Sequence, residues 1–410
     1  MIRSGGIIPT AVLSIVMFVT TGPFASAQGA TRSAIDKTGR PPLLNIRLKA
    51  GFYSMGDQWC WFATFLRGPT RRILYVGASG PAICRIHDSL PVPHMLVCPP
   101  SWRRPDLGFP AAASTGDGKT LAALVWKQTG TRRAEYFSPR IGIWNLKTGQ
   151  PVRRLRIRYI GAVSSMAFSA GGRKLAVGGR LYPSKCSVFV IAMKTGTVEN
   201  RLMLPVPLSR KIVGRVSGLV FGPGGSVLAI IGRWFCRWQL PSGRLAYAVK
   251  AERHDRVRIL RPLVLLPGGR YAISADMDRA RLRWFSTATG KVVRRVRLHF
   301  PGALGYLRHH GIWGIATLDQ GKYLTCAVSR DFDILMRGRV VVINPKTGNV
   351  LAASRVATGC FWGIAAARDG RRLATFGFLG VRLWDLPRMF WVKRKGLLAP
   401  TIPSAKVPGK

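Results

Sequence analysis

The sequence predicts an all-β fold, a β-propeller of about seven four-stranded blades. The first observation is a glycine turn that recurs at Gly149, Gly196, Gly243 and Gly290, at equal intervals of 47 residues, with a further copy at Gly348. The second is a strand of alternating bulky residues before each of these turns, and the third is another glycine turn earlier in each unit. Equal spacing of turn residues indicates a repeat architecture, and periods near this length with several strands per period are typical of propellers.

Each unit is predicted to form four antiparallel strands joined by short turns. Glycine permits the positive φ that tight hairpins need, and period-two alternation gives each strand a buried face. One small sheet cannot bury both of its faces, so the copies are expected to stack around an axis. The earlier turn of the unit has six plain copies, at residues 116–119, 170–173, 223–226, 267–270, 319–322 and 368–371.

A weaker seventh unit lies upstream of these six. Its second, third and fourth strands are predicted at residues 72–76, 82–86 and 94–97, and the propeller then extends over residues 43–395. In the alternative arrangement, residues 43–48 complete the last blade as a closing strand. Four tryptophans are predicted to lie on third strands: Trp144, Trp238, Trp284 and Trp384.

The two ends of the chain have a different character from the repeats. Residues 1–27 are predicted to be a cleavable signal peptide, because Arg3 precedes an uncharged apolar run and an Ala-Ser-Ala site ends at Ala27. The protein is then secreted or periplasmic and keeps no transmembrane span; an uncleaved segment would instead anchor it in a membrane. Residues 28–42 are predicted to be a flexible leader and residues 396–410 a disordered basic tail.

The composition is strongly basic. The chain has 64 Lys and Arg against 16 Asp and Glu, a formal net charge of +48, and arginines outnumber lysines. Such an excess favours anionic polymers, such as an envelope glycan or nucleic acid, or proteins with anionic surfaces as partners. The alternative is that the arginines only reflect the base composition of a GC-rich genome.

Seven cysteines are too few and too scattered for a disulfide scaffold. Cys84 and Cys98 flank a predicted hairpin turn and form the one possible disulfide. Four others lie in or beside strand-like runs and are expected to be small buried residues: Cys186, Cys236, Cys326 and Cys360. No spacing of Cys and His predicts a metal site, and no cofactor is expected.

The repeat resembles the WD-repeat family, whose units pair a glycine turn with a third strand that ends in Trp-Asp. Residues 381–385 (VRLWD) match that ending, whereas the other tryptophan strands keep the Trp and lose the Asp. The resemblance implies a rigid binding surface and a buried structural hydrogen-bond set in one blade: His254, Ser274, Asp278 and Trp284. A related lactonase-like or quinoprotein-like propeller is the alternative.

Groups able to perform catalysis are sparse. Two carboxylate pairs, Asp276 with Asp278 and Asp331 with Asp333, have two interpretations, a Ca²⁺ site or caps of loop turns. Basic neighbours such as Arg279 favour caps. The adjacent residues His309 and His310 would point to opposite sides of a strand, so they do not predict a shared metal. No Ser-His-Asp set or phosphate-binding glycine loop is present, so the chain is predicted not to be an enzyme. The alternative is a lactonase-like or quinoprotein-like enzyme with a metal or redox cofactor.

Alternating basic residues follow two of the 47-residue turns and fall on predicted fourth strands, the outermost strand of a blade. These residues are predicted to form a basic rim that binds an anionic polymer, so the expected function is a non-catalytic binding platform. The alternative is that the charges protect a free strand edge from pairing with another edge. The candidate residues are Arg154, Arg156, Arg158, Arg295 and Arg297.

Overall fold

A computed structural model describes most of the predicted propeller, all of it within one compact unit that begins at Leu43. The described residues are 44–53, 60–66, 72–77, 80–85, 93–97, 111–125, 140–157, 160–181, 186–205, 215–251, 260–276, 280–298, 310–330, 337–354, 357–377 and 379–387. The predicted signal peptide, leader and basic tail lie outside them.

Seven four-stranded antiparallel blades form a ring, so the predicted fold class is confirmed. Blade 1 contains β2 (Cys60–Phe65), β3 (Arg72–Gly77), β4 (Gly80–Arg85) and β5 (Pro93–Met95). Blade 2 contains β6 (Ala112–Ser114), β7 (Thr120–Val125), β8 (Arg140–Asn145) and β9 (Pro151–Arg156). Blade 3 contains β10 (Ile160–Phe168), β11 (Lys174–Leu181), β12 (Cys186–Ala192) and β13 (Val198–Met203). Blades 4 and 5 contain β14 (Val216–Phe221), β15 (Val227–Ile231), β16 (Trp234–Gln239) and β17 (Arg244–Lys250), then β18 (Leu260–Leu265), β19 (Tyr271–Asp276), β20 (Arg281–Ser286) and β21 (Val292–Arg297).

The last two blades close the ring. Blade 6 contains β22 (His310–Leu318), β23 (Tyr323–Arg330), β24 (Arg337–Ile343) and β25 (Val350–Ser354), and β26 (Ala357–Thr358) also pairs with β24. Blade 7 contains β27 (Phe361–Ala366), β28 (Arg372–Gly377) and β29 (Gly380–Asp385), and its fourth strand is β1 (Leu44–Tyr53) from the start of the unit. The predicted closing strand is therefore present, and β2 completes the ring by contacting β27 and β28.

The hydrophobic core lies between blades. A buried apolar cluster occupies each of the seven junctions between neighbouring blades, including the junction of blades 7 and 1. Middle strands such as β15 are buried at every position because a blade packs against each face, whereas the fourth strands alternate between exposed and covered residues. Trp144, Trp238, Trp284 and Trp384 lie on third strands as predicted, and each is at most 4% exposed.

The glycine spacing corresponds to the turn between the third and fourth strands. Gly149, Gly196, Gly243, Gly290 and Gly348 have φ between 68° and 80°, the left-handed region that favours glycine. The N–H of each donates to the carbonyl four residues earlier, at 2.7–2.8 Å. This turn therefore has the same hydrogen-bonded geometry in five blades.

Candidate anion-binding rim

Two outer strands present a pair of arginines each to solvent. On β9, Arg154 and Arg156 are exposed, and on β21, Arg295 and Arg297 are exposed. We call these four residues the arginine rim. The fifth predicted member, Arg158, lies outside the described residues. Both strands end their sheets, so they have one unpaired edge within the described part of the chain.

The strands beside the rim add further positive charge. Arg140 lies opposite Arg156, and Arg281 lies opposite Arg297. Burial lowers the pKa of Arg140, and repulsion from Arg154 and Arg156 lowers it further. The strands β8, β9, β20 and β21 contain no carboxylate. Like charges that face each other across strands destabilise a sheet, so this arrangement has an electrostatic cost.

Other outer strands carry single charges at the corresponding positions. Arg201 on β13 and Lys250 on β17 are exposed. Glu199 lies on the same outer strand as Arg201, where its Oε2 is 2.7 Å from Lys174 Nζ. The basic surface thus extends beyond the rim, because β17 carries a second exposed cation, Arg244, and no acid. Among the outer strands whose side chains are described, β9 and β21 are the ones that present two exposed arginines without an acid.

Half-buried side chains on the other face of the outer strands join neighbouring blades. Each lies four residues after a turn glycine and donates to a backbone carbonyl in the next blade; we call these contacts the interblade latches. They are Arg153 Nη2 to Lys194 O at 3.2 Å, Asn200 Nδ2 to Pro241 O at 2.6 Å, Tyr247 Oη to Thr287 O at 2.8 Å and Arg294 Nη1 to Pro345 O at 3.0 Å.

The latch donors were not predicted from the sequence. They share the 47-residue spacing but belong to three residue types, so a search for repeated residues misses them. The signal that could have found them is a polar side chain at a fixed offset from each turn glycine. Neighbouring arginines on one strand therefore have different roles. Arg153 and Arg294 join blades, whereas Arg154 and Arg295 face solvent.

The predicted hydrogen-bond set of blade 5 is described only in part. His254 and Asp278 lie outside the described residues. Trp284 lies opposite Ile273 and Ser274 lies opposite Arg283, so the Ser274 and Trp284 side chains leave opposite faces of the sheet. The structure therefore does not bring these two side chains together, and the buried Ser274 Oγ has no hydrogen-bond partner among the described residues.

A tryptophan–hydroxyl bond of the kind sought in blade 5 occurs in blade 7. Trp384 Nε1 donates to Thr375 Oγ1 at 2.9 Å, and both residues are buried. Trp384 lies opposite Leu373, and Thr375 is two residues further along the same strand, on the same face. Trp144 and Trp238 instead donate to the carbonyls of Val97 and Met203 in the preceding blade, at 2.9 and 3.2 Å.

The predicted cysteine pair is half described. Cys84 is buried on β4, with Ile73 opposite it on β3 and Pro93 opposite it on β5. Burial raises the pKa of its thiol to about 12. Cys98 lies outside the described residues, so the disulfide stays a prediction. Cys236 and Cys326 are fully buried, in agreement with the prediction that they are small core residues.

The carboxylate pairs and the histidine pair also remain largely outside the described residues. Asp278, Asp331, Asp333 and His309 are not described, and only the strand positions of Asp276 and His310 are known. Within the described ranges, no three His, Cys, Asp or Glu side chains group together as a metal site requires. No helix in the same ranges is long and apolar enough to cross a membrane.

Comparison with protein-family models gave no matching family, and comparison with curated proteins gave no match.

Proposed function

We propose that the chain is an exported, non-catalytic propeller of the WD-repeat-like type that binds anionic polymers through the arginine rim. The observation that carries the proposal is the exposure of Arg154, Arg156, Arg295 and Arg297 on strands without a carboxylate. The buried bond from Trp384, the tryptophan of the Trp-Asp ending, to Thr375 supports the WD-repeat-like assignment.

Edge protection alone accounts poorly for this arrangement. A single charge on an edge strand discourages pairing with another edge. Here Arg156 and Arg297 lie opposite Arg140 and Arg281 on the next strand, and burial together with repulsion from Arg154 and Arg156 lowers the pKa of Arg140. A bound polyanion would relieve that repulsion, because arginine pairs with phosphate, sulfate or carboxylate groups through its planar fork of N–H donors.

The test is a quadruple variant that removes the rim charges: Arg154→Gln, Arg156→Gln, Arg295→Gln and Arg297→Gln. Duplex DNA and heparin serve as probes with known charge density. Each phosphate contact on duplex DNA contributes about 0.9 to the slope of log affinity against log salt, so four lost contacts should reduce the slope by up to about 3.6. The expected result is weaker binding with a shallower salt dependence and an unchanged circular-dichroism spectrum.

A matched control removes the same number of charges from the hairpin turns: Lys147→Gln, Lys194→Gln, Lys291→Gln and Lys346→Gln. These lysines are exposed, and none of their side chains takes part in a hydrogen bond described above. The control should bind both polymers nearly as tightly as the parent. Equal losses of polymer affinity in the two variants would mean that the total charge, and not the position of the arginines, determines binding. Unchanged binding in the rim variant together with aggregation would support edge protection.

Two further measurements address the rest of the proposal. If export removes the signal peptide, N-terminal sequencing of the mature protein should begin at Gln28. Elemental analysis and an absorbance spectrum of the purified protein test the enzyme alternative, because a stoichiometric metal or a bound quinone would contradict a non-catalytic platform.

A further inference from the structure

The first–second and third–fourth turns of the blades lie at one end of the ring, whereas the second–third turns, such as the one between β15 and β16, lie at the other end. Within an antiparallel meander the first and third strands run in the same direction, so the first–second and third–fourth turns share an end. Neighbouring blades keep this orientation, because their turns touch. A Cβ built on Gly172 would lie 3.0 Å from Thr115 Cγ2, and one built on Gly269 would lie 3.3 Å from Pro223 Cβ. We call this end the turn face.

Basic residues recur on the turn face at fixed positions. In five of the six described first–second turns, the residue after the turn glycine is Lys or Arg, and four of the five described third–fourth turns contain a lysine. All of these side chains are exposed. The cations of the described turns are Lys119, Arg173, Arg270, Lys322, Arg368 and Arg371 in the inner set and Lys147, Lys194, Arg244, Lys291 and Lys346 in the outer set.

The three carboxylates of these turns are engaged within their own hairpins. Asp117 accepts from Thr115 Oγ1 at 2.5 Å and from Lys119 N at 3.0 Å, and these bonds lower the pKa of Asp117. Asp369 accepts from Arg371 N at 3.0 Å. Asp319 Oδ2 lies 3.8 Å from Lys322 Nζ. These acids shape turns and offset only a small part of the positive charge.

The arrangement of these cations differs from that of the arginine rim. The rim places arginines two residues apart along one strand, a line of charge that suits a polymer. On the turn face the cations are spread over several blades in an inner and an outer set, all at one end of the ring. A two-dimensional array of this kind matches a planar anionic surface, which can contact many separated cations at once.

We infer that the turn face docks on a bilayer that contains anionic phospholipids. Among the described turn residues there is no exposed large hydrophobic side chain, and the exposed apolar residues beside them, such as Tyr271 and Val152, lie on strands, so the contact is mainly electrostatic. Each Lys or Arg near an anionic membrane strengthens binding about fivefold. The attraction decays over a Debye length of about 10 Å at moderate salt, so it depends on many residues being held in one plane.

The test uses vesicles of phosphatidylcholine mixed with phosphatidylglycerol, with pure phosphatidylcholine vesicles for comparison. The parent is expected to sediment with the anionic vesicles and to be released by salt. The four-lysine variant defined above should lose affinity by about 600-fold, nearly three orders of magnitude, following the fivefold effect of each lysine. The rim variant, which loses the same charge, should keep most of its vesicle binding.

The two surfaces can thus fail independently. The membrane inference would be overturned if the four-lysine variant bound anionic vesicles as tightly as the parent does. It would also be overturned if the parent did not bind anionic vesicles. Equal loss in both variants would also overturn it, because total charge would then be responsible. The polymer assay with DNA and heparin tests the rim by comparing the rim variant with the four-lysine variant, so a failure there leaves the vesicle result unaffected.

Discussion

Gly290 is expected to be one of the least replaceable residues of the ring. Its φ is +73°, and a Cβ at this position would lie 2.5 Å from Tyr247 Cε2 and 3.0 Å from Val249 Cγ2 in the preceding blade. The Tyr247 ring has little freedom to move away, because its hydroxyl donates to Thr287 O and its ring packs against Phe235 with centroids 5.9 Å apart. Gly290→Ala therefore perturbs both the turn and the junction of blades 4 and 5.

The two effects can be separated by a matched glycine. Gly268 has a φ of +79°, but a Cβ there would meet no heavy atom within 4 Å. The left-handed conformation costs an alanine about 1–2 kcal/mol, so Gly268→Ala should lower the free energy of unfolding by about that amount. Gly290→Ala adds overpacking against Tyr247, at about 1–3 kcal/mol, for a total of about 2–5 kcal/mol.

Equilibrium unfolding in urea measures both variants against the parent. The expected result is a clearly lower unfolding midpoint for Gly290→Ala than for Gly268→Ala, with similar slopes for all three proteins. Equal midpoints for the two variants would refute the reasoning, because the close approach of Gly290 to Tyr247 would then have no energetic consequence.

The remaining predictions concern single interactions. Tyr247→Phe removes the latch to Thr287 O and should cost about 0.5–1.5 kcal/mol in urea unfolding, and an unchanged midpoint would contradict the latch. Thr375→Val leaves Trp384 Nε1 without its buried acceptor and should cost about 1–3 kcal/mol, whereas Thr375→Ser should retain most of the stability. Burial raises the pKa of Cys60 from 9.0 to about 12, so its contribution to stability is complete below pH 9 and is lost as the pH rises towards 12. The parent should therefore lose about 1.4 kcal/mol more per pH unit in this window than Cys60→Ala; equal slopes would contradict this.

The fold could be predicted because its repeated features follow local rules. A positive φ restricts the turn position to glycine, so Gly149 and its counterparts keep the same residue type and reveal the period. Trp144 and Trp384 mark third strands because a large side chain fills the space between blades. The exposure of the arginines on the outer strands could also be predicted, because the alternation of side chains along β9 and β21 decides which arginines face solvent.

Contacts between units were much harder to predict. The latch position is Arg153 in one blade, Asn200 in the next and Tyr247 in the third, because any donor of suitable length can reach the neighbouring carbonyl. The pairing of Ser274 with Trp284 depended on register, and a shift of one residue along a strand moves a side chain to the other face of the sheet. Sequence spacing alone does not specify register to that precision.

The junction of blades 6 and 7 explains why the basic residues avoid one outer strand. The latch position there is Ala352, which has no donor, and β1 instead pairs in parallel with β25, with Leu44 opposite Ala352 and Ile46 opposite Ser354. Every residue of Val350–Ser354 is half-buried or buried, and a charge in such a position would lose its hydration without a partner. Strand β25 accordingly carries no charge, whereas β9 and β21, which end their sheets, carry two exposed arginines each. The strand that closes the ring thus determines which outer strands remain available for the arginine rim.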